Sequence, residues 1–200
     1  MKEVYLDGED VQFSGDPPAD LSALIEVISR HLSDNDRVLI SCEVDGLEIL
    51  PVSATPLPDE GTRICMVSSS IQTALARSIE TVLSSKESLI QELHAFAIEL
   101  LKQPWSESLK QMDTFSARLA PINHLLDTLL EYATRHHLFW QDVVAKAVKA
   151  NEQHLNQFIQ EARQQNVASV SDTIVNQLIP WTEATAEAFE QTIMPVLPLS

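Results

Sequence analysis

After Gly61 the chain runs for 139 residues without a glycine. Sheet proteins make many tight turns, and glycine is the default residue where such turns need a positive φ. A stretch of this length without one is what helices joined by short connections produce. The four glycines, Gly8, Gly15, Gly46 and Gly61, all fall in the first third. Two regions follow from that break. Residues 1–67 are expected to form a small acidic α+β domain. Residues 68–200 are expected to form an all-α antiparallel bundle of about four long helices, so the chain is mainly α.

Charge follows the same division. Twenty-nine acidic residues against thirteen basic ones give a formal net charge of -16. Residues 1–66 hold 14 acids and 4 bases, and are the more acidic part per residue. Nucleic acids and anionic membranes are bound through clustered Lys and Arg, so neither is an expected partner. No apolar run approaches the eighteen or so residues of a spanning helix. The segment Met1-Lys2-Glu3-Val4-Tyr5-Leu6-Asp7 lacks the apolar core of a signal peptide. A cytoplasmic location is the expectation.

In the first region, Val4 and Leu6, then Val11 and Phe13, alternate around Gly8-Glu9, which reads as a hairpin. Asp20 is placed to cap a helix carrying Leu21, Leu24, Ile25, Ile28 and Leu32. Residues 37–44 read as a strand with Val38, Ile40, Cys42 and Val44 on one face. Asp45-Gly46 is a two-residue hairpin signal, and Leu47 and Ile49 lie beyond it. After a loop with Pro51, Pro56, Pro58 and Gly61, Ile64 and Met66 suggest a last strand.

The order strand, strand, helix, strand, strand, strand resembles the β-grasp, or ubiquitin-like, arrangement. The resemblance covers the first third and rests on element order. It implies that the last strand pairs beside the third, which puts Cys42 and Cys65 on neighbouring strands. Sulfur-carrier members of that class end in a free Gly-Gly tail. Here Met66 leads into a helix and there is no such tail, which argues against carriage or conjugation. CxxC spacing is absent, and two free buried thiols are expected, with a disulfide the lesser alternative.

In the second region, Leu75, Ile79, Val82, Lys86, Leu89, Leu93, Phe96 and Leu100 form a heptad seam within residues 69–103. Pro104 ends that helix. Residues 106–135 carry Met112, Phe115, Leu119, Ile122, Leu126 and Leu129, interrupted by Pro121, with a kink or break expected near Ala120. Residues 138–164 carry Val144, Val148, Asn151, Leu155, Phe158 and Ala162, with Asn151 a register-fixing polar residue. A last helix over about 168–193 is expected to kink at Pro180. Ser68-Ser69-Ser70 suits the cap of the first long helix.

No chemistry stands out. No Glu lies three residues before any of the six histidines, and HExxH, GxSxG and a Gly-rich phosphate loop are missing. His136-His137 suits a helix C-terminus. Neither a catalytic residue, a metal nor a cofactor is expected. The reading is a non-enzymatic protein-interaction module of adaptor or chaperone type. Trp105, Trp140 and Trp181 are its candidate contact residues, with an acidic surface at Asp7, Glu9 and Asp10. The alternatives are a self-assembling dimer through the heptads, and a metal-binding or enzymatic bundle using dispersed His, Asp and Glu.

Overall fold

The computed structural model describes residues 3–13, 15, 18, 20–49 and 62–198, excluding the side chain of Asp113. The proline-rich stretch 50–61 and Pro17 lie outside that set. Helix makes up 71% of the chain, preceded by a small mixed five-stranded sheet, so mainly α holds. The chain divides into two compact units at Ala74/Leu75.

The first unit contains β1 (Glu3–Leu6), β2 (Glu9–Asp10), α1 (Leu21–Ser33), β3 (Arg37–Val44), β4 (Leu47–Glu48) and β5 (Arg63–Ser70). The sheet order is β2-β1-β5-β3-β4. β5 runs parallel to β1 and antiparallel to β3, while both hairpins are antiparallel. Both hairpins turn on Asp-Gly. Asp7 and Gly8 have φ of 54° and 86°, Asp45 and Gly46 of 50° and 80°. Two successive positive φ values give the turn twist that matches flanking strands. The first turn is therefore Asp7-Gly8, one residue before the expected Gly8-Glu9. β2 is correspondingly Glu9–Asp10, and the described residues 11–13 of the expected second strand lie outside it.

α1 begins where expected. The Ala23 N–H donates to the Asp20 carboxylate at 2.7 Å, which satisfies a free helix-terminal donor. Leu21, Leu24, Ile28 and Leu32 are buried with Val4, Cys42, Val44, Ile64 and Met66 as one core. α1 thus covers the inner face of the sheet.

β3 departs from simple alternation. Its register with β5 shifts between Leu39, opposite Ser68, and Ser41, opposite Val67. Ile40 is the extra residue of a bulge, which reverses the facing of the strand before it. Leu39 therefore packs against the core, whereas Val38 and Ile40 are exposed. The expectation that Val38 and Ile40 share a face with Cys42 and Val44 is corrected. The cysteines lie on neighbouring strands but alternate in facing: Cys42 pairs with Met66 inside, and Cys65 with Glu43 outside. They are free thiols, Cys42 buried and Cys65 only half-buried. Burial, first of all, pushes the Cys42 thiol up, with Cys65 and Glu43 adding to it, so it is protonated and inert.

β5 passes directly into α2 (Ile71–Leu100). Of the three serines only Ser70 caps it, accepting from the Thr73 N–H at 3.0 Å, since β5 runs on through Ser70. α2 is unbroken at Ser84-Ser85. α3 (Trp105–His136) runs through Pro121 without the expected break. α4 is Gln141–Arg163. The last helical stretch is α5 (Val167–Thr173), a π turn Ile174–Leu178, α6 (Ile179–Ala188), a second π turn Phe189–Ile193, and a 3₁₀ turn Met194–Val196. Pro180 has no N–H to give, and the π turn sits just ahead of it, where the helix ladder must adjust.

Phe96, Phe115 and Phe158 bring α2, α3 and α4 together, with ring centroids 4.8 and 5.0 Å apart. Asn151 is buried, and its amide donates to Asn123 at 2.8 Å. That bond joins α4 to α3, as a register-fixing residue would.

The missing glycines leave a trace at the helix ends. α3 closes with His137 at φ 51°, and Leu138 N–H donates to the Ala133 carbonyl. α4 closes with Gln165 at φ 56°, and Asn166 N–H donates to the Glu161 carbonyl. This bond pattern usually carries glycine at the left-handed position. Gln165→Gly is accordingly expected to stabilise the helical unit by about 0.5–1 kcal/mol, read as a rise in the urea midpoint.

Candidate docking face on the sheet

The two Asp-Gly turns and the β5 register line up one row across all five strands. Asp10 pairs with Tyr5, Tyr5 with Cys65, Cys65 with Glu43, and Glu43 with Glu48. Directly opposed residues point to the same side, and here that is the outer face, away from α1. Asp10, Glu43 and Glu48 are exposed, while Tyr5 and Cys65 are half-buried. Beyond the row lie Val67 (44% exposed) and, at the bulge, Ile40 (40%), with Val38 at 37%. Among the described residues of the first unit no element covers this face. A group of exposed apolar side chains rimmed by charge is a candidate interaction surface.

Arg63, two residues before Cys65 on β5, lies 5.0 Å from the Tyr5 ring centroid. The Glu3 carboxylate beside it is the largest influence on Tyr5 and pushes its phenol above the ordinary value, and desolvation adds to that; Arg63 opposes the rise. Tyr5 stays neutral and presents a ring with a hydroxyl edge.

Asp7 belongs to a different arrangement. Its carboxylate accepts from the Ser68 N–H and Oγ, both at 2.7 Å, and from Arg37 at 3.0 Å. Arg37 Nε also donates to Ser68 Oγ at 2.9 Å. This clasp ties the β1 turn to β5 and β3. Desolvation pulls the Asp7 carboxyl upward, but the Ser68 hydrogen bonds and Arg37 outweigh it and hold the carboxyl below its ordinary value. A lowered folded pKa means that the unfolded chain binds the proton more readily. The stabilisation is full above the unfolded value, near 4, and is lost as pH falls through the folded one. Asp7→Asn keeps a residue that tolerates positive φ but loses the charge-assisted bonds. It is expected to cost about 1–2 kcal/mol at pH 7, with the partial exposure of the pair lowering the figure. The difference from wild type should shrink below pH 4 in urea melts.

The expected acidic surface therefore divides in three. Asp10 lies in the outer row. Glu9 pairs with Leu6 and points to the other side. Asp7 is engaged within the fold. The tryptophans divide as well. Trp140 is 1% and Trp181 5% exposed, and the Trp181 indole N–H donates to the Ala147 carbonyl at 2.9 Å. Both are core residues of the helical unit, which corrects the expectation that they present contact surface. Trp105, at the start of α3, is half-buried.

The helical unit offers less chemistry. A cavity of about 180 Å³ lies between α2 and α3, lined by Leu89, Leu93, Phe96 and Phe115, with the Glu92–Arg118 ion pair at its edge. A polar groove of about 270 Å³ lies beside the first π turn, where Thr173 donates to Glu161 at 2.7 Å. Among the described residues no group of three His, Cys, Asp or Glu is placed to hold a metal, and no helix is long and apolar enough to cross a membrane.

Neither a known protein family, nor a curated protein, nor a solved structure matches this chain.

Proposed function

We propose that this chain is a non-enzymatic protein-interaction module that docks a protein partner on the outer face of its sheet. The observation that supports this most is the uncovered apolar group Val67, Ile40 and Val38 beside the Asp10–Tyr5–Cys65–Glu43–Glu48 row. In this reading the first unit is a ubiquitin-like arrangement, and the helices after it form an antiparallel four-helix bundle. A carrier role does not fit, because β5 enters α2 with no free tail between them.

The test uses three full-length baits in native extract. They are the wild type, an Ile40→Ser/Val67→Ser variant, and a Phe139→Ser variant as a control. Phe139 is 71% exposed and belongs to the helical unit. A partner held by the wild type and the control but lost from the sheet-face variant is the expected result. A partner recovered equally by all three baits overturns the proposal.

A further inference from the structure

We infer that the segment docking on this face is cationic. It is a protein segment with alternating apolar and Lys or Arg side chains, its basic groups seated between Glu43 and Glu48 and its apolar groups over Val67 and Ile40. This rests on the docking reading above and adds the chemistry of the partner.

Glu43 and Glu48 are direct cross-strand partners on an antiparallel pair, and both are exposed. Neighbouring strands lie about 4.7–4.9 Å apart. Like charges so placed repel each other and weaken the pair. Among the described residues neither carboxylate meets a cation. The three described bases of the first unit are engaged elsewhere: Arg30 with Glu26, Arg37 with Asp7, and Arg63 over the Tyr5 ring. In this reading an incoming ammonium or guanidinium group relieves the like-charge repulsion between the two carboxylates. A charge-assisted hydrogen bond to each carboxylate replaces the repulsion.

Other occupants fit less well. Nucleic acid and anionic lipid have the wrong sign. A divalent ion needs more ligands than two carboxylates, and no third His, Cys, Asp or Glu is placed to complete a group among the described residues. The apolar residues beside the pair favour a segment over a free small cation. The surplus of acids over residues 1–66 steers such a segment inward from a distance.

The experiment titrates a fluorescent ten-residue peptide alternating Lys and Leu into the full-length protein, followed by anisotropy. Peptides alternating Ser and Leu, and Lys and Ser, are run beside it. Glu43→Gln/Glu48→Gln is expected to weaken the Lys-Leu peptide about tenfold, the size of one charge-assisted contact. It is also expected to raise the thermal midpoint of the free protein, because the repulsion is gone. Val67→Ser weakens the same peptide, and Glu152→Gln, an exposed acid on α4, leaves it unchanged. The Ser-Leu and Lys-Ser peptides each bind more weakly than the Lys-Leu peptide.

A double Gln variant that binds as the wild type, while Val67→Ser weakens binding, overturns the cationic inference and leaves the docking face standing. A lowered midpoint in the double variant also overturns it, since the carboxylates would then be structural. Binding that neither change affects, or no binding, overturns both readings.

Discussion

Trp140→Ala is expected to lower the unfolding free energy of the helical unit by about 3–5 kcal/mol. Trp140 is among the largest fully buried side chains of the chain, at the turn that opens α4. Its carbonyl accepts from the Val143 and Val144 N–H groups in the first helical turn. Removing the indole takes away its transfer free energy and leaves a void that close-packed neighbours fill only in part. Urea unfolding followed by far-ultraviolet circular dichroism measures the change. A contact residue of the kind the sequence suggested would move this quantity by less than about 0.5 kcal/mol. A result of that size would show that Trp140 is not in the core.

Leu24→Ala should cost the first unit about 2–5 kcal/mol. Leu24 faces the sheet from α1 in a core of nine buried residues. A unit this small has little stability to lose. The loss appears as faster amide exchange along β3 and β5 in the full-length chain. Val67→Ser on the opposite face of the same sheet should change that exchange much less, because Val67 is 44% exposed whereas Leu24 is 1% exposed. Equal effects at the two positions would mean that the outer face is packed as the inner one is.

Much of this fold is legible in the sequence, for identifiable reasons. The absence of glycine after residue 61 forecasts helix, and α2, α3 and α4 follow the heptad seams closely. Asp20 and the Leu21–Leu32 stripe place α1. The bulge at Ile40 has no local mark, because Arg37–Val44 reads as clean alternation. Only the pairing with β5 shows that one residue is extra. Pro121 does not break α3, and Pro180 has a π turn just ahead of it. A proline removes one hydrogen bond and crowds one turn, and a packed helix tolerates the loss in α3 or shifts to a π turn ahead of α6.

The outer-face row is partly legible in the sequence. The Asp45-Gly46 turn sets Glu43 against Glu48 directly, so that end of the row can be read from sequence, whereas the expected Gly8-Glu9 turn is one residue off the Asp7-Gly8 turn that sets Tyr5 against Asp10. Joining the two ends through Cys65 requires the long-range placement of β5 between β1 and β3. Burial of Trp140 and Trp181 was less accessible. A tryptophan at a turn has the same local sequence whether its neighbours cover it or not.

Cys65 gives the most direct test of the docking proposal. It sits in the middle of the row, half-buried, while Cys42 is fully buried behind the sheet. Alkylation at the two positions is measured by mass spectrometry, on the purified protein and in extract at native abundance. If the sheet face holds a partner, Cys65 is modified more slowly in extract than in the purified protein, and Ile40→Ser/Val67→Ser restores the faster rate. Equal rates of Cys65 modification in both settings would contradict the proposal.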